Sequence, residues 1–178
     1  MNYWKHIDLP QFKELQEDLA AWFIKNPHGV NGDRWNEVNI VKLLIAVPRL
    51  SVALRSIEAM ATYIAAIVIR KKDETIIHID QMPGVKARLL LPVMNTEGSF
   101  TAFYETESAG RFAIDYDDGG KECLQFDSSD VTEVTRFSLT APTILRIDHP
   151  HAILCEQNQF PRISLSIRLN KDPVWMLT

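Results

Sequence analysis

Residues 76–95 read IIHIDQMPGVKARLLLPVMN, and this stretch decides the predicted fold. The β-branched pair that opens it predicts a strand. Side chains two residues apart in a strand point to the same face, so His78 and Asp80 lie side by side. The Pro and Gly of residues 81–84 predict a loop. The apolar run at 87–93 predicts a second strand, which would be buried.

The His-x-Asp pair indicates two of the three ligands of a 2-His-1-carboxylate metal site, and a second His would complete it. The same tripeptide, His-Ile-Asp, also occurs at residues 6–8. There it stands just before Pro10 and a helical pattern, where Asp8 is predicted to cap a helix. The tripeptide by itself therefore does not define a site, and the rest of the chain must distinguish the two copies.

The C-terminal stretch 162–169, RISLSIRL, alternates strictly between polar and apolar residues and predicts a strand. Two interpretations remain open. The polar face could be turned to water at the edge of a sandwich. Alternatively it could point into a barrel, where Arg162 would offer a forked, permanently charged donor to a small dicarboxylate.

The order of these motifs resembles that of the Fe(II)- and 2-oxoglutarate-dependent oxygenases. The likeness is greatest to small aspartyl/asparaginyl-hydroxylase-like, prolyl-hydroxylase-like and phage-type members, and it covers roughly residues 75–169. That family has His-x-Asp, a long interval, a distal His, and then Arg-x-Ser. In this chain the pattern falls on His78, Asp80, His151, Arg162 and Ser164.

The resemblance implies a metal site, a cosubstrate and a reaction. His78, Asp80 and His151 would hold Fe(II), while Arg162 and Ser164 would bind the far carboxylate of 2-oxoglutarate. O2 would be consumed, 2-oxoglutarate would become succinate, and a substrate would be hydroxylated. Asp80 favours hydroxylation, because halogenating relatives carry a small residue in place of that carboxylate.

The distal ligand could in principle be either of two histidines. His151 stands eleven residues before Arg162 and is followed by the strand-forming Ala-Ile-Leu, whereas His149 is separated from that strand by Pro150. His151 is therefore the predicted ligand. His149 is expected to support the site from outside the ligand set or to lie on the surface.

Three further residues are candidates for the pocket. Arg88 could bind the cosubstrate carboxylate in place of Arg162, or could form an ion pair near the barrel mouth. Asn95 and Tyr104 are candidate polar groups of the pocket, although a turn residue and a packed aromatic ring would explain them equally well.

The element pattern predicts a single α+β domain over residues 1–178 that is mainly β. Helices are predicted at about 10–25 and 51–63, so residues 1–63 would form a mainly helical support. Residues 64–170 would form the core, which the short and regularly spaced strands predict to be a β-sandwich or a barrel. The resemblance implies that this core is a double-stranded β-helix of the jelly-roll or cupin-like kind. A hairpin turn is predicted at 117–120, where the acidic residues lack the spacing of an EF-hand calcium loop.

Composition narrows the functional classes. Hydrophobic residues make up 46% of the chain, charged residues make up 24%, and the net charge is −4. That balance is typical of a globular protein and gives no electrostatic footprint for nucleic acid. Two cysteines are too few for a disulfide framework, and no apolar run is long enough to span a membrane. A cytoplasmic enzyme is the expectation.

The expected partners are O2 and a small-molecule, peptide or protein substrate, with an amino-acid or protein side chain as the first expectation. Two alternatives use the same barrel. One is a cupin-like metal-binding module or isomerase that does not use 2-oxoglutarate. The other is a non-catalytic structural or interaction barrel. Fold alone does not separate these functions.

Overall fold

The structure is a computed structural model that describes residues 2–27, 34–72, 76–115 and 121–178, without the side chains of residues 114, 115 and 121. The α-helices are α1 (Phe12–Lys25), α2 (Ile40–Ala46) and α3 (Pro48–Ser56). The strands are β1 (Trp4–His6), β2 (Arg34–Glu37), β3 (Ala61–Ile69), β4 (Ile77–Asp80), β5 (Ala87–Met94), β6 (Ser99–Glu105), β7 (Arg111–Asp115), β8 (Lys121–Phe126), β9 (Thr132–Ser138), β10 (Thr143–Arg146), β11 (His151–Cys155) and β12 (Arg162–Leu169). Two short 3-10 segments cover Ser128–Asp130 and Pro173–Leu177.

The strands form two antiparallel sheets of six strands each. Sheet 1 has the order β1-β10-β5-β12-β3-β2, and sheet 2 has the order β7-β8-β4-β11-β6-β9. The prediction of a mainly β chain is confirmed. From β3 to β6 and again from β10 to β12, consecutive strands belong to opposite sheets. Residues that are close in sequence therefore face one another across the space between the sheets.

The helices cover the outer face of sheet 1. In α1 the buried residues Leu15, Leu19 and Phe23 recur every four positions and form one apolar stripe. They belong to a single hydrophobic cluster with the apolar residues of β12, such as Leu165 and Ile167. This packing determines which way β12 faces. Its apolar side packs against the helices, so its polar side points toward sheet 2.

Two predictions about helix boundaries were wrong. Asp8 does not cap α1. The cap position is Gln11, whose backbone is left-handed (φ 53°) and whose side chain makes no capping hydrogen bond. The helix predicted at 51–63 begins earlier, at Pro48, and ends at Ser56. Proline suits the first turn of a helix, since the N–H group that it lacks would have no partner there.

The predicted division at residue 63 also needs correction. Strand β3 begins at Ala61, and residues 1–63 contribute the edge strands β1 and β2 to sheet 1 as well as the three helices. The N-terminal segment therefore contributes two strands to sheet 1 and also covers its outer face. The hairpin predicted around 117–120 has its strands in β7 and β8, while its turn lies outside the described residues.

Two glycines with similar backbone angles allow a matched test of close packing. Gly98 (φ +75°) would place a Cβ atom 2.8 Å from the backbone carbon of Gln157, whereas Gly84 (φ +74°) has open space around it. We expect Gly84→Ala to lower the free energy of unfolding by about 1 kcal/mol, the cost of a left-handed alanine. Gly98→Ala should cost about 2 kcal/mol more, because a backbone segment must move.

Urea denaturation of the two glycine variants would measure this difference. Equal losses of stability would show that the loop containing Gln157 adapts without cost and that the close approach at Gly98 has no energetic weight.

Candidate functional site

Three potential metal ligands meet on the inner face of sheet 2. His78 and Asp80 lie on β4, and His151 opens the neighbouring strand β11 directly opposite His78. One ligand atom from each residue lies within 4.8 Å of the others. Within the described ranges this is the only such group of three His, Cys, Asp or Glu residues. Two bonds of about 2.1 Å span up to about 4.2 Å, so a small side-chain rotation would bring all three onto one cation.

The hydrogen bonds of the two histidines orient them for metal binding. The Nδ1 atom of His78 lies 2.9 Å from the carbonyl oxygen of Ile76, and that of His151 lies 2.8 Å from the carbonyl oxygen of His149. A carbonyl oxygen only accepts, so Nδ1 carries the proton in both rings. In the neutral ring the lone pair is then on Nε2, and the Nε2 atom of His78 lies 3.3 Å from Oδ1 of Asp80. This is the tautomer that metal-ligating histidines adopt when a carbonyl holds the other nitrogen.

The two copies of the His-Ile-Asp tripeptide lie in different surroundings. His6 is exposed on β1, and its Nδ1 atom lies 2.8 Å from the hydroxyl of Thr143. It belongs to no three-residue ligand group among the described residues. His149 lies outside the ligand group as well. Its ring contacts Asp148, while its backbone carbonyl accepts the hydrogen bond from Nδ1 of His151.

Arg162 is buried on the facing sheet with neutral partners. Its side chain is 1% exposed, and it donates to the hydroxyls of Ser99 (2.9 Å) and Ser164 (3.0 Å). Burial lowers the pKa of Arg162 to about 10, which leaves the guanidinium charged at neutral pH. Among the described residues no carboxylate pairs with it. A buried charge without a counter-ion is costly, so this position suits an anionic ligand.

The polar face of β12 thus points inward, as the barrel interpretation required. Strand β12 lies in the middle of sheet 1 between β3 and β5, and Ser164 and Ser166 are buried together with Arg162. The interpretation of this strand as a solvated edge is wrong. Its alternating pattern results from helices on one side and a polar interior on the other.

A cavity of about 80 Å³ joins the two groups. This volume is several times the roughly 10–15 Å³ that a cavity needs to hold one water molecule. Its sixteen lining residues come from both sheets and include His78, Asp80, His151, Arg162, Ser164 and Ser166. Leu90, Leu145 and Ile147 form an apolar lining next to the polar groups.

Arg88 is buried but does not line this cavity. One of its nitrogens donates to the hydroxyl of Ser166 at 3.1 Å, and another contacts the sulfur of Met82. Its guanidinium carbon lies 5.0 Å from the ring centre of Trp35 and 5.9 Å from that of Tyr63. These contacts favour Arg162 over Arg88 as the residue that binds a ligand in the cavity.

Neither of the other two pocket candidates lines the cavity. Asn95 lies in the turn after β5, where its side chain donates to the carbonyl of Pro161 and lines a separate polar cleft. Tyr104 lies in β6 next to Phe103, whose ring lies 6.0 Å from that of His151 and therefore points inward. Tyr104 therefore points to the other face and packs against Ala102 and Ala152.

Sequence reasoning missed two hydroxyls on β6. Ser99 accepts a hydrogen bond from Arg162, and Thr101 lines the cavity with 2% exposure. The hydroxyl of Thr101 has no hydrogen-bond partner among the described residues. A signal was present in the sequence, since Ser99 and Thr101 are two apart in a strand and therefore share one face.

Two comparisons with known proteins, against family models and against curated proteins, give no match. No protein-family model matches the sequence. No curated protein matches it. Among the described residues, no helix combines the length and the apolar character needed to cross a membrane.

Proposed function

We propose that the protein is an Fe(II)- and 2-oxoglutarate-dependent oxygenase that hydroxylates a C–H bond. One observation carries the proposal: a single cavity joins a His-Asp-His group to a buried arginine with only neutral partners. A 2-His-1-carboxylate set leaves coordination positions open, as non-haem Fe(II) oxygenases require. The arginine on the opposite wall provides the positive charge that a dicarboxylate needs.

The strand order supports a double-stranded β-helix as the fold. In sheet 1 the inner four strands run β10-β5-β12-β3, and in sheet 2 the corresponding four run β9-β6-β11-β4. Eight antiparallel strands in two facing sheets, connected mostly from one sheet to the other, are the pattern of a jelly roll. The added edge strands and the helices would then decorate a single domain spanning residues 1–178.

The strand register supports a two-ended acid such as 2-oxoglutarate as the ligand. Arg162 donates to Ser99 of β6, whose register partner on β11 is Cys155. His151 lies four residues before Cys155 on that strand, so the two positions are about 13 Å apart along β11. The side chain of Arg162 and the bonds to a metal would cover part of this distance, and a ligand with an acid group at each end would span the rest.

The chain's own residues would each have a defined task. Arg162 would bind the far carboxylate, with Ser99 and Ser164 holding the guanidinium in place. The hydroxyl of Thr101 would donate a hydrogen bond to the cosubstrate. Bound Fe(II) would supply the redox chemistry by which O2, 2-oxoglutarate and a C–H bond yield succinate, CO2 and an alcohol.

An anaerobic titration with Fe(II) and then 2-oxoglutarate tests this proposal. We expect a visible charge-transfer band when 2-oxoglutarate is added to the Fe(II) protein. Metal binding without a response to 2-oxoglutarate would favour the cupin-like module or isomerase. Absence of metal binding would favour a non-catalytic barrel. Succinate release with candidate substrates and O2 would follow a positive result.

The unpartnered hydroxyl of Thr101 gives a separate prediction. Because that hydroxyl is buried without a partner, Thr101→Val should leave the stability of the metal-free protein unchanged or raise it by about 1 kcal/mol. The same substitution should weaken 2-oxoglutarate binding by about fivefold to tenfold, the equivalent of one hydrogen bond. Thermal unfolding and anaerobic titration would measure the two effects.

The control for Thr101→Val is Thr132→Val at the exposed start of β9, which should change neither quantity. A loss of stability in Thr101→Val without a change in 2-oxoglutarate affinity would show that the hydroxyl has a structural role.

A further inference from the structure

The residues that line the cavity fall into two sets by exposure. Ten are buried and form its interior, including Thr101, Arg162 and the serines of β12. Six are half-buried and mark the mouth: Arg34, Trp35, Ile67, Ile76, His78 and Ile153. Four of these mouth residues are apolar, and His78 belongs to the ligand group. The route to the metal ligands from solvent is therefore walled mainly by hydrocarbon.

The apolar mouth residues form two facing walls. Trp35 and Ile67 are register partners on β2 and β3 and belong to sheet 1. Ile153 lies on β11 two residues after His151, and Ile76 directly precedes β4, so both lie on the side of sheet 2. A group that approaches the ligands passes between these walls. Its surface contacts there would be aliphatic side chains and an indole ring.

Two polar groups next to the apolar mouth residues are engaged within the protein. The indole N–H of Trp35 donates to the hydroxyl of Tyr63 at 2.9 Å, so this ring offers its hydrocarbon surface. Ser166, deeper in the cavity, accepts from Arg88. The interior donors that the proposed function assigns to the cosubstrate are Arg162 and Thr101. A substrate amide or carboxylate held between the mouth walls would lose its hydration without gaining an equivalent set of partners.

We propose that the group hydroxylated in this cavity is uncharged and apolar, such as an aliphatic or aromatic side chain, and is not an aspartyl or asparaginyl side chain. That the bound group is hydroxylated rests on the proposed function. The preference of the mouth for an apolar group is inferred from its lining residues alone. The principle is that of any apolar specificity pocket, which selects by burial of hydrocarbon and rejects groups that require hydrogen bonds. Arg34 is an arginine among the described mouth residues, so an acidic probe must be part of the test.

Three probes of matched shape separate the possibilities: the N-acetyl amides of leucine, asparagine and aspartate. Binding would be followed by NMR of protein labelled at isoleucine methyl groups, both alone and with Zn(II) and 2-oxoglutarate added. We expect the leucine probe to shift the methyl signals of Ile67 and Ile76. Its dissociation constant should be at least about tenfold lower than those of the other two probes.

A matched pair of variants locates the effect. Ile67→Thr keeps the β-branched shape but adds a hydroxyl to the mouth wall, and it should reduce the preference for leucine by about threefold to tenfold. Ile45→Thr makes the same change on the exposed face of α2 and should leave the preference unchanged.

Equal or tighter binding of asparagine or aspartate would overturn the inference, as would the absence of any methyl shift with leucine. The proposed function has its own readout, the charge-transfer band with Fe(II) and 2-oxoglutarate. A protein that prefers leucine but gives no band would retain the apolar mouth and lose the oxygenase assignment. A protein that gives the band but prefers aspartate would retain the oxygenase assignment and contradict the apolar preference of the mouth.

Discussion

Asp80→Ala is expected to weaken Fe(II) binding by more than about 100-fold. Loss of a residue that merely orients a metal ligand costs about tenfold to 100-fold in affinity, and loss of the only anionic ligand should cost more. Asp80 is buried, and its Oδ1 atom lies 3.3 Å from the Nε2 atom of His78. It is the one carboxylate in the ligand group formed by the described residues, so its loss leaves that group without an anionic ligand. Anaerobic titration with Fe(II) would measure the affinity directly.

A thermal shift provides a second measurement of the same prediction. At an Fe(II) concentration about 100 times the wild-type dissociation constant, bound metal should stabilise the wild type by about 2.7 kcal/mol. The variant should gain far less at that concentration. Comparison of the metal-free proteins would show whether the substitution itself disturbs the fold.

The chain supplies a matched control in its second His-Ile-Asp tripeptide. Asp8 follows His6 as Asp80 follows His78, but Asp8 is exposed and lies outside the ligand group. Asp8→Ala should leave Fe(II) affinity and the metal-induced stabilisation unchanged. Wild-type affinity in Asp80→Ala, or an equal loss in Asp8→Ala, would contradict the assignment of the site to His78, Asp80 and His151.

The sequence could predict those features whose cause is local. Alternation along β4 places His78 and Asp80 on one face whatever the rest of the chain does. The distal His151 required a resemblance, because nothing local makes a histidine at the start of a strand meet β4. The register of His151 opposite His78 is a property of strand pairing between segments more than seventy residues apart in the chain.

Other features depend on what packs against them, and sequence alone could not settle these. The polar face of β12 reads equally well as solvated or as internal until α1 is found to cover its apolar side. Thr101 matters because its hydroxyl has no hydrogen-bond partner in the described parts of the chain, and that depends on the residues around it. The mouth residue Trp35 belongs to an edge strand, and no motif marks it.

Replacement of Arg162 is expected to separate cosubstrate binding from metal binding. Methionine is of similar length and carries no charge. Two charge-assisted hydrogen bonds to a carboxylate contribute on the order of 3 kcal/mol, so Arg162→Met should weaken 2-oxoglutarate binding by more than about 100-fold. Fe(II) affinity should remain within about threefold of the wild type, because the ligand group lies on the facing sheet.

The stability of the metal-free protein should respond differently. Arg162 is buried with neutral partners, and its burial lowers its pKa to about 10, which expresses the cost of desolvating the charge. Removal of a buried charge that lacks a counter-ion can be neutral or stabilising. We therefore expect metal-free Arg162→Met to be no more than about 1 kcal/mol less stable than the wild type. Saturating Fe(II) and 2-oxoglutarate should reverse the order, since only the wild type gains stability from the bound dicarboxylate.

Two other arginines make this prediction specific. Arg168→Met lies farther along the same strand and should leave 2-oxoglutarate affinity unchanged. Arg88→Met should change it by less than about tenfold, because Arg88 is not among the residues that line the cavity. A larger loss of 2-oxoglutarate affinity in Arg88→Met than in Arg162→Met would identify Arg88 as the residue that binds the carboxylate. Destabilisation of the metal-free Arg162→Met protein by several kcal/mol would mean that Arg162 is a structural support, and its burial would then no longer argue for an anionic ligand.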